Sequence, residues 1–361
     1  MIDMVHFIVV VAVMISFLGS ASSKHIHRVS FFMLFCFAAI RYDYGNDYMS
    51  YMNKYLYIHA GRWEFDAEPL FNLMCTIIPS YFLLIALISL AFVWVMYWFI
   101  TKNLPNKYVF VGLFIFLVNP MLFLTNLSSL RQCLAMLVYI FAVEAGYRRK
   151  IWSYFFLVVL AALFHKSAWF LLPLYFFLDS KPVNVKMVFI IMAAVLLAVI
   201  AMDLRGLAQQ VAEWFGDKNY IYYAQKDREN TLRATLLTAL YFVYTLANLP
   251  KLKGKYLVYG KLYLISTIFG LFAYQMSMFT RFQMFFDVYS VVALPMIFKA
   301  ELDTGVIPIR RDNPLITIWG CCNRYVMPIL LIMVYLMRYY SFFVNPMWKK
   351  FFEYHTILSQ F

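Results

Sequence analysis

Arg41, Asp43, Asp47, Glu68, Arg131, His165 and Arg281 are the side chains through which this chain could do chemistry. Each lies at or near the margin of an apolar run, where an ionisable group is costly and tends to persist for a function. A guanidinium keeps its charge at any working pH and offers a planar fork of donors that suits phosphate oxygens. Fixed arginines would also stabilise a departing diphosphate, which gathers negative charge as its bond breaks. His165, in the turn Phe164-His165-Lys166-Ser167-Ala168, can take or give a proton near neutrality. It is the first candidate for a base that deprotonates a hydroxyl, with Asp43, Asp47 and Glu68 behind it. Asp43 or Asp47 could instead orient Arg41. The set reads as a site for an anionic, lipid-linked substrate, with Arg131 and Arg281 holding the phosphates and Arg41 completing the clamp.

Each residue has a plainer reading too. An arginine at a membrane margin can snorkel to headgroups, a helix-end histidine can bond a backbone carbonyl, and Asp287 can simply pair with an arginine. Tyr48, Tyr51 and Tyr55 repeat at helical spacing, with Asp47 placed to cap the helix start. They form either an interfacial aromatic belt or a surface on which sugar rings stack. Tyr222, in Tyr220-Ile221-Tyr222-Tyr223, is a second candidate for stacking. Glu68 precedes Pro69, a residue suited to a first helical turn, so a helix is expected to begin there.

Other chemistries lack their motifs. There is no GxxxxGK phosphate loop, no HExxH and no GxSxG. The five cysteines have neither zinc nor disulfide spacing and read as packing residues. Asp66-Ala67-Glu68 is a carboxylate pair of a kind that can hold a metal, but two acids in an acidic loop are a weak signal. No metal or cofactor is expected.

The elements that must position these groups are membrane helices. Hydrophobic residues make up 64% of 361 positions and charged residues 14%, and mean hydropathy is +0.72. A soluble domain holds nearer half apolar and about a quarter charged. Several runs reach the roughly 20 apolar residues needed to cross a ~30 Å hydrocarbon core. The fold class is therefore all-α, a single polytopic membrane domain over residues 1–361. About twelve spans are expected, near 4–18, 29–40, 80–100, 107–125, 130–146, 151–164, 167–179, 187–202, 233–249, 257–278, 282–300 and 325–343. The first run has no Lys or Arg before it and no cleavage site after it, so it reads as a retained span.

Charge sets the orientation. Sixteen of the 31 Lys and Arg fall in six alternate short connections, from Lys24 and Arg28 to Arg310, Arg311 and Arg324. That face is expected to be cytoplasmic, with both termini outside. The net charge of +13 is scattered through these loops, which fits anionic membrane lipids rather than nucleic acid. Residues 151–178 could be one helix or a hairpin turning at His165-Lys166-Ser167. The hairpin keeps the charge bias intact throughout. Two long outer segments result, about 41–79 and 203–232, and connections of that length in a compact fold usually have a role.

At these residues the chain resembles the EpsG-like family of Wzy-type bacterial polysaccharide polymerases. The matching elements, in order, are Arg41, Asp43, Gly45, Asp47-Tyr48 and Tyr51, then Glu68-Pro69, Leu130-Arg131-Gln132, Phe164-His165-Lys166-Ser167-Ala168, and Arg281 with Pro295. The resemblance implies a glycosyltransferase in the bacterial inner membrane with its site facing outward. Such an enzyme would move a growing glycan from undecaprenyl pyrophosphate onto the sugar end of a fresh lipid-linked repeat unit. A chain-length regulator as a partner is implied by the resemblance alone. Two other functions use similar parts. A flippase or exporter of lipid-linked oligosaccharide should show internal repeats and charges along both halves of a pathway, and an O-antigen ligase-like enzyme would need a second acceptor.

Overall fold

The computed structural model of the chain describes residues 4–62, 68–182, 184, 187, 190, 193–194, 197, 232–273, 278–303 and 321–360. Most of the predicted span 187–202 and nearly all of the second outer segment, Tyr222 included, lie outside the described residues, as does Asp66. Packing divides the chain into two compact units. One is Met1–Leu178 with Tyr335–Phe361, the other Asp179–Val334.

The first unit is built from α1 (Met4–Ala21), α2 (Ile26–Ala39), α3 (Tyr48–His59), α4 (Pro69–Ile77), α5 (Tyr81–Asn103), α6 (Asn106–Val118), α7 (Leu124–Ser128), α8 (Leu130–Tyr147) and α9 (Ile151–Phe164). Four helices among the described residues are long and apolar enough to cross a membrane: Met4–Ala21, Tyr81–Asn103, Leu130–Tyr147 and Cys322–Val344. At ~1.5 Å per residue the 23 residues of α5 reach about 35 Å. Ile26–Ala39, Asn106–Val118 and Ile151–Phe164 are apolar but shorter. Among the described residues, therefore, not all of the twelve expected spans are seen as full crossings. The exposed side chains explain the composition. Phe7, Val10, Met14 and Phe17 on α1, and Leu83, Leu87, Leu90 and Trp94 on α5, are large, apolar and uncovered at helical spacing. Stripes of this kind suit lipid, not water.

Several expected spans break where the backbone demands it. The run 107–125 stops at Val118 because Pro120 pushes Asn119 into extended backbone (ψ 101°), and α7 restarts after a turn. The run 167–179 is a 3₁₀ helix, Lys166–Phe177. At ~2.0 Å per residue it spans about 24 Å, further than the same residues would as α-helix.

The chain does reverse at His165. Tyr154 donates its hydroxyl hydrogen to the Leu171 carbonyl (2.5 Å), and its ring centroid lies 5.4 Å from that of Tyr175. In one continuous helix Tyr154 and Tyr175 would stand about 30 Å apart. The connections read as one face from their charge do share one end of this unit. Asn106 donates to the Gly19 carbonyl (3.0 Å) and its side-chain oxygen bonds His27 Nε2 (3.1 Å), while Lys102 and Arg148 both pair with Glu144. The turns at 40–47, 119–130 and 165–168 lie at the opposite end.

The second unit holds α10 (Leu232–Asn248), α11 (Lys255–Phe272), α12 (Met278–Asp287) and α13 (Ser290–Asp303). The expected span 282–300 is therefore interrupted after Asp287. A wide π turn, Cys322–Val326, brings Asn323 to Glu301 (2.7 Å) and Asn248 (2.8 Å). Lys251 closes this buried cluster by pairing with Glu301. From there α14 (Met327–Val344) leads to a closing segment that rejoins the first unit.

Candidate functional site

Glu68 stands where three elements of the first unit meet. It is the residue before α4, with Pro69 in the first turn, as its sequence suggested. Its carboxylate makes no cap bond because it is engaged elsewhere. Oε2 is ion-paired with Arg131 Nη1, and Oε1 lies 2.6 Å from His165 Nδ1 and 3.2 Å from the Lys166 amide N–H that donates to it. Arg131 is the second residue of α8, and His165 is the extended residue (ψ 117°) that ends α9. Extended geometry at that junction lets the imidazole and the next amide face the same oxygen.

Glu68 is 5% exposed. Burial alone would raise its carboxyl, but the His165 bond, the Arg131 charge and the Lys166 amide more than offset this and hold it below the usual carboxylate range. With Glu68 ionised, Nδ1 of His165 carries the hydrogen that the carboxylate accepts. In the neutral imidazole the lone pair is then on Nε2, which is buried and has no hydrogen-bond partner among the described residues. A carboxylate that fixes the tautomer of a neutral imidazole in this way plays the orienting part in a catalytic triad.

Tyr51 completes the cluster. Arg131 Nε lies 3.4 Å from its hydroxyl and the guanidinium carbon 5.6 Å from its ring centroid, a cation–π distance. Burial pushes the Tyr51 phenol up, so it stays a neutral hydroxyl. Tyr48 is likewise buried, its phenol pushed up to about 12 by burial, and its hydroxyl donates to the Arg41 carbonyl (3.2 Å). Tyr48, Tyr51 and Tyr55 pack in one cluster with Phe71, Cys75 and Tyr81. The helical spacing therefore turns these rings into the core instead of offering their faces to sugars.

Arg41 differs most from its expected place. It is 1% exposed. Its guanidinium donates to the carbonyls of Ala38 and Leu127 (2.9 Å to the latter) and to Ser89 Oγ (2.8 Å). Ala38 and Leu127 lie in the last turns of α2 and α7, where carbonyls lack helical partners and the dipole favours a cation. Arg41 ties two helix ends together and is enclosed by them.

Asp43 pairs with Lys350. Asp47 precedes α3 without capping it through its side chain; its N–H donates to Ser128 Oγ (2.9 Å), whose hydroxyl lies 3.4 Å from Asp47 Oδ2. Between them Gly45 adopts φ +112°, and a Cβ there would sit 3.1 Å from that of Ser128. Gly45→Ala is expected to cost roughly 1–3 kcal/mol, read as a lower unfolding temperature of the purified protein in detergent. Arg281 lies in the second unit, in the first turn of α12, and buried Asp287 ends that helix with Ser266 Oγ 3.4 Å from Oδ1. Among the described residues, no three His, Cys, Asp or Glu are grouped to hold a metal. Ser128 and the Lys166 amide were not singled out from sequence; small polar residues directly before Leu130-Arg131 were the available signal.

Lipid-facing stripes on long helices, with a carboxylate–imidazole–guanidinium cluster at one end, define a multi-pass helical membrane protein. The chain belongs to the EpsG family, whose model matches residues 24–356, a stretch that includes every residue of the cluster. This family marks it as a polysaccharide-polymerase-like membrane protein. Comparison with the curated proteins and with the solved structures finds no match.

Proposed function

We propose that the protein is a glycosyltransferase that extends polysaccharide on the outer face of a bacterial inner membrane. The donor would be a growing glycan on undecaprenyl pyrophosphate and the acceptor the sugar end of a lipid-linked repeat unit. The observation that carries this reading is His165, oriented by Glu68 through Nδ1, with Nε2 unpartnered among the described residues and Arg131 on the other carboxylate oxygen. In the proposed step, Nε2 takes the proton of the acceptor hydroxyl as its oxygen bonds the donor's anomeric carbon. The bond from that carbon to the diphosphate breaks, and the diphosphate leaves with the electron pair. Glu68 stabilises the imidazolium, and Arg131 the charge gathering on the leaving group. Arg281 is kept as a second phosphate-binding candidate and Tyr222 as a sugar-stacking one, on their chemistry alone. Arg41, Tyr48 and Tyr51 are assigned to support. An oriented base serves deprotonation of an acceptor hydroxyl directly, which favours transfer over simple translocation of the lipid-linked sugar.

In a strain lacking the gene, His165→Ala and Arg131→Ala are expected to accumulate in the membrane yet leave single repeat units on the lipid. Loss of a general base typically costs roughly 10²–10⁴-fold in rate. Normal ladders from both variants would remove the assignment. Reconstitution with one purified lipid-linked repeat unit separates the alternatives: a polymerase lengthens it unaided, a ligase requires a second acceptor, and a flippase changes its sidedness without changing its mass.

A further inference from the structure

The segment after α14 folds back onto the turn that precedes α3. Asn345 starts the reversal by accepting the Met347 N–H (3.0 Å) on its side chain. The carbonyls of Met347 and Lys350 then take hydrogens from Asn46 Nδ2 (3.1 Å) and from the Gly45 N–H (3.2 Å). Lys350 pairs with Asp43. Further on, His355 and Thr356 form an antiparallel pairing with Tyr42 and Arg41, and the Ile357 N–H donates to the Ile40 carbonyl (2.8 Å). Tyr354 stacks on Phe37 (4.4 Å between centroids) and donates to the Phe37 carbonyl, while Phe351 is fully buried against Tyr44.

We infer that residues 345–357 are a strap that positions Arg131 by holding the 41–48 turn, which makes Lys350 a positioning residue for the proposed reaction. Two routes lead from the turn to Arg131. Asp47 is bonded to Ser128, three residues before Arg131, and α3, which starts at Tyr48, presents Tyr51 to the guanidinium. It follows that the strap and the Glu68–His165 pair lie on the same face of the membrane. The positioning role rests on the glycosyl-transfer reading; the placement of the strap does not.

Two experiments on the full-length protein test the two parts separately. Antiparallel partners stand about 4.5–5.5 Å apart at Cα, within disulfide range, so Tyr42→Cys with His355→Cys is expected to cross-link within one chain on mild oxidation, while either single variant does not. Absence of that cross-link would refute the strap whatever the enzyme does. For positioning, Asp43→Lys and Lys350→Asp are each expected to slow chain extension by the purified, folded protein roughly tenfold or more. Because the diphosphate contact is misplaced at the transition state, the loss should appear in kcat and not in acceptor KM. The exchanged pair, with both substitutions together, should restore the rate. Unchanged rates in the single variants would refute positioning, and so would failure of the exchange to rescue, which is the outcome if Asp43 itself did the chemistry.

Discussion

Replacing Glu68 with glutamine is expected to lower chain extension by about 10³–10⁴-fold, the scale seen when a triad carboxylate becomes an amide. The glutamine is nearly the same size, but it carries no charge and turns one oxygen into a donor. That NH₂ group would face either the His165 Nδ1–H, the Lys166 N–H or Arg131 Nη1, all of them donors. The imidazole would lose the bond that puts its lone pair on Nε2, and Arg131 would lose its counter-charge. Folding would suffer as well, by roughly 1–3 kcal/mol for the unsatisfied group. The pH dependence has a definite sign. Since the folded protein holds the Glu68 carboxyl below its ordinary range, the ionised pair adds stability above the unfolded carboxylate value of about 4.3. That contribution is lost as pH falls through the lower folded value. Thermal unfolding in detergent across an acidic series should show wild type falling toward Glu68→Gln, whose own stability lacks this component.

Arg41→Ala is expected to prevent stable folding rather than to impair substrate binding. The fully buried guanidinium satisfies carbonyls at two helix ends and a buried serine. Removing one partner from a buried charged network commonly costs about 3–5 kcal/mol, a large fraction of the roughly 5–15 kcal/mol that holds a domain folded. Arg41→Lys should fare little better, because an ammonium cannot span three acceptors with a planar fork. The measurement is the amount of full-length protein in membranes beside its unfolding temperature. Arg131→Ala, on a partly exposed residue, should accumulate near the wild-type level. If Arg41→Lys accumulated normally and only lost polymerisation, the enclosed role would be wrong.

Much of this was legible in the chain itself. The apolar runs and their charge bias gave a helical membrane protein with alternating connections, and the reversal at His165 followed from that bias. Glu68-Pro69 marked a helix start, and Glu68, Arg131 and His165 were placed at one end. Their union on a single carboxylate was not legible, since His165 stood first among the candidate bases but only long-range packing selects the carboxylate that orients it. The tyrosine spacing was read correctly as helical, but its direction was not, because aromatic faces in a membrane protein serve core, belt and cleft alike. Arg41 misled for a physical reason: the acceptors that permit its burial are helix-end carbonyls, which no sequence pattern displays. The strap from Asn345 to Ile357 depends on pairing across more than three hundred residues. Pro120 did announce the break after Val118, whereas Asp287-Val288 contains no residue that stops a helix.

The central claim is that Glu68 and His165 act as one unit at the reacting hydroxyl. A double-mutant cycle tests it most directly, with chain extension of a purified lipid-linked repeat unit measured for Glu68→Gln, His165→Ala and the pair. Groups that work as a unit are strongly non-additive, so the double variant should be no slower than His165→Ala alone. Rate losses that multiply would show two independent contributions and contradict the account.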